Sequence, residues 1–399
     1  MDVLSPTYNA SSTGSFNINN FLFASMFQNR LVLCNNQNGK RNSVLISAQN
    51  TNCVFNGEDS IELDFGDDNG LVAAVPFFSR FSNNFFENLL VGKVDSVYIV
   101  DGTSTSASST DQYICYKISD MYGVAAPQTM TCCDIGFASQ AGQATRNIVL
   151  WQSSNNIVLW DGSTVYPIDE DISDVFDITS TLHIEPTMLS KSQASYDERN
   201  HEWHWFWASS GMTYLNMEYV FDVIRKKWFT VNRGAGNAIQ TSCPVIDLNN
   251  NRYLYGATAS GYVERLEYGM TFDGIAITAS YFTGDIPFAG WTYTSRIRAI
   301  KPIFKQKGNT DNYLQVQYYG DNSNLPVANF KFRANDSLHR TVEDSNALTG
   351  QYQYNVLSTS QGDYTTHAFQ VSMTTNNEIM CHEPIGLAVL WREVREDIS

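Results

Sequence analysis

The 399 residues carry 41 acidic and 25 basic side chains, a formal net charge of −16, with 43% hydrophobic and 13% aromatic content. That balance excludes a conventional nucleic-acid grip, because neutralising phosphates needs clustered Lys and Arg. The length suits one large repeat-built domain or two ordinary ones, and abundant aromatics with only 17% charged residues favour a packed, β-rich protein.

Residues 1–17 are rich in Ser, Thr, Asn and Gly and are expected to form an extended arm. They carry neither a basic n-region nor a continuous apolar h-region, so no signal peptide is expected. From residue 18 onward, short runs rich in β-branched and aromatic residues follow one another, among them "RLVLCN", "SVLIS", "NLLVGKVDSVYIVDG", "NIVLWQ", "NIVLWDG", "HEWHWFWAS", "EYVFDVIRKKWFTV" and "RYLYGA". Gly, Asn, Asp or Ser corners separate them, which reads as strands joined by turns. Helical periodicity is nowhere sustained for three turns; "RFSNNFFENLL" (80–90) is the best helical candidate and is still read as a strand lead-in. No stretch approaches 18 apolar residues, so no membrane span is expected.

Asp-Gly corners at 101–102 and 161–162, with further turns near Asp222 and Gly261, recur at roughly 40 to 60 residues, the spacing of propeller blades or stacked hairpin pairs. The expected fold is an all-β propeller of about five to seven blades of short antiparallel strands. Blades are expected over 18–270, with 271–399 closing the propeller or forming a small sandwich.

Candidate chemistry is sparse. His201-Glu202 in "HEWHWFW" (201–207) begins like the zinc-protease motif H-E-x-x-H, but position 205 is Trp where the second His belongs. His201 and His204, three apart in a strand, point to opposite faces and cannot share a metal. "DFGDDNG" (64–70) hints at a calcium loop, yet aligning Gly70 with the invariant Gly puts Phe65 at the first ligand and Pro76 at the closing one. Seven cysteines without a C-x-x-C pair read as buried free thiols in a chain made in a reducing cytoplasm. "RGAGNA" (233–238) opens no helix, so it is no phosphate cradle. No catalytic residue, cofactor or metal ligand is assigned. Asp169, Glu170, Asp171, Asp174 and Asp177 form an acidic run read as an exposed loop, and Arg225, Lys226 and Lys227 a compact basic hairpin turn read as solvated or, alternatively, as a subunit contact with an acidic neighbour.

In order and spacing, "FASMFQNRLVLCNN", "ENLLVGKVDSVYIVDGTS", "NNIVLWDGSTVYPIDEDISDVFD", "EYVFDVIRKKWFTV" and "THAFQVSMTTNNEIMCHEPIGLAVLWREV" resemble the β-propeller tail nozzle, or DNA-stabilisation, proteins of short-tailed bacteriophages. The resemblance covers most of residues 20–395 and rests on texture rather than on an invariant motif. It implies a non-enzymatic virion structural protein, assembled in the host cytoplasm into a homo-oligomeric ring, a hexamer favoured, at the tail. Other tail or connector proteins would be its neighbours, and genomic DNA would pass without specific binding. Six copies at −16 each would carry a formal charge of about −96, enough to shape the potential in a narrow channel. Residues 169–177 facing that channel would keep DNA from sticking. The alternatives are a receptor-binding or adhesion propeller at the virion surface and a propeller glycoside hydrolase.

Overall fold

A computed structural model describes residues 20–48, 60–81, 84–102, 113–134, 147–269, 274–306, 313–333, 362–375 and 382–394, with positions 50, 55, 271–272 and 355–356. The arm expected over 1–17 lies outside the described residues. The chain divides into two compact units, Met1–Glu267 and Tyr268–Ser399.

The first unit is a run of antiparallel sheets, each made by strands consecutive in sequence. Strands β1 (Phe21–Phe27), β2 (Arg30–Asn36), β3 (Ser43–Ile46) and β4 (Ile61–Asp64) form blade one; β5 (Leu71–Phe81), β6 (Asn84–Lys93), β7 (Val97–Asp101) and β8 (Ile114–Ser119) form blade two. Blade three contains β9 (Thr131–Asp134), β10 (Asn147–Gln152), β11 (Ile157–Trp160) and β12 (Val165–Pro167). Blade four contains β13 (Gln193–Asp197), β14 (Glu202–Trp207), β15 (Met217–Asp222) and β16 (Lys227–Val231). Blade five has three strands, β17 (Ile239–Ile246), β18 (Arg252–Thr258) and β19 (Val263–Arg265). The helical candidate at 80–90 is the β5–β6 hairpin, as the aromatic-rich run favoured.

Short meanders can bury apolar residues only by stacking sheet on sheet, and they do so in chain order. Leu89 and Val91 meet Val32 and Val44 between blades one and two, and Trp151 and Trp160 meet Leu90 and Ile99 between two and three. Trp203, Trp205 and Trp207 meet Leu150 and Leu159 between three and four, and Phe206 meets Ile239 and Leu254 between four and five. Among the described residues, no such cluster joins blade five to blade one. The Asp161-Gly162 corner shows why these residues recur at turns. Gly162 sits at φ 94°, and Asp161 Oδ1 accepts from the amides of Ser163 at 2.8 Å and Thr164 at 2.9 Å.

The second unit is a two-sheet sandwich. One sheet runs β20 (Thr271–Phe272), β21 (Ile275–Phe282), β26 (His367–Thr375), β23 (Tyr313–Gly320) and β24 (Ala328–Arg333). The other runs β25 (Asn355–Val356), β22 (Thr294–Gln306) and β27 (His382–Val394). Ile297 and Ile300 from the second sheet pack against Leu314, Val316, Tyr318 and Phe369 from the first.

Candidate functional site

The first strand of each blade borders a common opening of about 440 Å³ in the first unit. Phe23 of β1, Ala74 of β5, Thr131 of β9, Ser195 of β13 and Ser242 of β17 all line it, and the hydroxyls of Ser195 and Ser242 lie 2.7 Å apart. Convergence of five first strands on one opening is the geometry of a propeller axis. Among the described lining residues, Glu198 is the one carboxylate, and Arg252 pairs with it. Glycosidic cleavage by the usual route needs two carboxyl groups roughly 5 to 9 Å apart across the sugar. Among the described lining residues that pair is not found.

The acidic run is a 3₁₀ strap, Glu170–Phe176, following the outer strand β12 and leading towards blade four. Ile172 and Val175 bury themselves in the tryptophan cluster, which pins the strap, while Glu170, Asp171, Asp174 and Asp177 stay exposed. Asp169 corrects the expectation of an exposed loop. It is buried, its carboxylate accepts from Asn156 Nδ2 at 3.2 Å, and burial pushes its carboxyl up. Backbone and hydroxyl donation from Thr179 holds the Asp177 carboxyl below its ordinary range. None of the five acids is among the residues lining the opening.

The basic turn lies beside this strap. Lys227 Nζ stands 3.4 Å from Asp171, Arg225 pairs with Asp222 at 2.7 Å, and Lys226 takes a left-handed φ of 55°. Two features expected to face different partners are thus neighbours within one chain, joined also by Trp228 Nε1 donating to the Ile168 carbonyl at 2.7 Å. Arg225 keeps an exposed guanidinium, and Lys226 is exposed.

The 64–70 loop carries its own internal cation. Lys93, 0% exposed at the end of β6, donates to the Phe65 carbonyl at 2.5 Å and the Asp67 carbonyl at 2.8 Å. It also bonds Asp67 Oδ1 at 2.5 Å, and that hydrogen bond holds the Asp67 carboxyl below its ordinary range. An ammonium therefore occupies the focus of the oxygens that suggested calcium. The thiols follow the expectation only in part: among the described cysteines, Cys34 and Cys133 are buried and burial pushes both up, Cys115 and Cys132 are half-buried, and Cys243 on β17 is exposed.

A cluster that the sequence reading passed over lies on the other face of β14. The three tryptophans occupy one face, so Glu202, His204 and Phe206 occupy the opposite one. His204, fully buried, donates from Nδ1 to Glu218 Oε1 at 2.9 Å. Arg233 grips Glu218 with Nε at 2.5 Å and Nη2 at 2.9 Å and reaches Glu267 at 3.1 Å. Burial would raise the Glu218 carboxyl, but the bonds from Arg233 and His204 hold it low. Burial would likewise lower His204, and the Glu218 carboxylate more than offsets it. Glu202 is pushed up to about 7, first by burial and then by Glu267, Asp197 and Asp222, against the pull of His204. The rule placing His201 and His204 on opposite faces stands, but the informative pair was Glu202 and His204, two apart on one face.

No protein-family model and no curated protein matches the chain. Solved structures with some likeness include an exo-β-1,3-galactanase from Phanerochaete chrysosporium, at 9% identity and TM-score 0.30, covering 90% of this chain and 93% of the galactanase. A bifunctional GH43-CE protein of Bacteroides eggerthii shows 8% identity and TM-score 0.29 over 77% of this chain, which spans about half (54%) of that protein. The core factor of S. cerevisiae shows 12% identity and TM-score 0.33 over 88% of this chain and 55% of the other. Likeness at this level assigns neither substrate nor reaction.

Proposed function

We propose that the chain is a non-enzymatic assembly protein, and that its station is the tail nozzle or hub ring of a bacteriophage virion to which its sequence bears a resemblance. The observation that carries the assembly reading is the apolar surface displayed by blade five. Tyr262, just before its outermost strand, and Val263, at the start of that strand, are 66% and 73% exposed, and Val245 and Ile246 at the end of β17 and Leu248 in the β17–β18 turn are exposed. A short strand at the edge of its sheet, carrying bulky exposed apolar side chains, is a surface that association would cover. The opening with its single, paired Glu198 supports a passive rather than a hydrolytic role. The exposed strap acids, repeated around a ring, would form a negative wall along which DNA slides.

A receptor-binding reading keeps one supporting observation, Trp291 and Tyr293, 71% and 54% exposed in the turn before β22. Averaged electron microscopy of intact particles separates the two. A ring of these chains around an axial tail channel is the expected result, and isolated copies projecting outward would overturn it. In the same particles, Tyr262→Asp with Val263→Asp should reduce the number of copies incorporated while leaving the isolated chain folded by circular dichroism. Undiminished incorporation would remove the blade-five surface from the assembly.

A further inference from the structure

Asp197 and Glu202 stand directly opposite each other where the β13–β14 hairpin closes, and His204 follows Glu202 by two residues. All three side chains therefore leave the same face of blade four. A carboxylate oxygen of Asp197, one of Glu202 and a ring nitrogen of His204 lie within 4.8 Å of one another. His204 is 0% exposed, and among the described residues its Nε2 has no hydrogen-bond partner. Glu202 Oε2 stands 3.8 Å from that nitrogen, too far for a hydrogen bond. The spacing is closer to the roughly 3 to 3.5 Å that separates two ligands of a cation bound at about 2.0 to 2.2 Å. A buried ring nitrogen left without a partner is costly and calls for an explanation.

We propose that Asp197, Glu202 and His204 bind a first-row transition-metal dication of the Zn²⁺ or Mn²⁺ kind, with Glu218 orienting the histidine. Glu218 accepts the Nδ1–H hydrogen bond at 2.9 Å, which aims Nε2 at the two carboxylates, the arrangement by which an outer carboxylate fixes a ligating imidazole; the bound ion would displace any proton from Nε2. Arg233 holds both Glu218 oxygens, so Glu218 stays an orienting group rather than a ligand. Asp197 is itself fixed, accepting from the Arg199 amide at 2.9 Å and from Asn200 Nδ2 at 3.0 Å. One imidazole with two carboxylates suits a transition-metal ion better than Ca²⁺, which takes six to eight oxygens. Glu202, with its side chain 18% exposed, provides the entry side. The ion would tie the end of the hairpin to the buried pair beneath it, a role independent of how the chain assembles.

Calorimetric titration of the chelator-treated full chain with ZnCl₂ and with MnCl₂ tests this. One dication per chain is expected, with Ca²⁺ binding far more weakly. Glu202→Gln and Asp197→Asn should each weaken Zn²⁺ binding at least about tenfold with unchanged circular dichroism. Absence of Zn²⁺ and Mn²⁺ binding to the unaltered chain would overturn the proposal. So would unchanged affinity in a variant combining Glu202→Gln with Asp197→Asn, which would move the ion elsewhere, for instance to the exposed Cys243. A readout free of substitution guards against misfolding: Mn²⁺ should broaden the backbone amide resonance of Trp203, between two ligands, before that of Trp151 in blade three. The reverse order sinks the site.

Discussion

Lys93 is the side chain whose removal the first unit should tolerate least. Its ammonium satisfies two backbone carbonyls and one carboxylate oxygen with no exposure to solvent. Lys93→Met keeps the length of the stem and deletes the donors, leaving the Phe65 and Asp67 carbonyls without their partner. The expected loss is about 2 to 4 kcal/mol, measured as a lower guanidinium midpoint at unchanged slope. A loss below about 0.5 kcal/mol would mean that water replaces the ammonium freely. None of this was legible in the sequence. "DFGDDNG" showed a polar turn and its failed calcium register, but the cation comes from a residue 26 positions further on, at the end of an apolar run. Pattern along the chain reports which residues face inward; it does not report which loop a buried lysine will reach. The same limit hid His204, Glu218 and Arg233, whose meeting depends on strand register across blade four and on the turn after β16.

Single strands were far more readable than their contacts. The alternation in "HEWHWFW" fixed which residues of β14 face the tryptophan cluster, because period two admits only two faces. The number of blades was less readable, since short meanders and sandwich hairpins share the same strand lengths and turn residues. The two-sheet unit is distinguished by β22 and β27, thirteen residues each and paired along their whole length with two register shifts. Within that unit, His367 at the start of β26 bridges the sheets. Its Nε2 lies 2.7 Å from Ser295 Oγ on β22, and its Nδ1 lies 2.7 Å from the Tyr318 hydroxyl on β23. Burial lowers the His367 pKa, against weaker opposing contributions from Tyr364 and Asp321. An unfolded imidazole takes its proton near pH 6.5, so the unfolded state gains protons first as pH falls through that value. The sandwich should therefore lose stability as pH falls from about 6.5 towards the lowered folded value. His367→Gln should flatten that slope in melts monitored between about pH 8 and pH 5, and an unchanged slope would exclude His367 as its source.

At the scale of the whole chain, charge and repetition were legible from the start, and partners were not. The formal −16 was countable at once, but the exposure of Tyr262 and Val263, on which the proposed assembly rests, only the folded chain reveals. Four inter-blade cores run in chain order from blade one to blade five, and the described residues show none that returns from five to one. Among the described residues the blades are thus coupled in series, each leaning on the one made just before it. Such a series can assemble progressively during synthesis, because every new sheet finds its partner already present. It also comes apart from its ends: local opening should begin in the strands with one stacked neighbour and reach the middle last. Native-state hydrogen exchange should accordingly show the Tyr255 and Ala257 amides of β18 opening at lower free energy than the Trp151 and Trp205 amides in the third and fourth blades. Equal opening energies would mean that the five sheets unfold as one body. Graded ones would mean that the protein keeps its most easily parted edge where a neighbouring molecule could complete it.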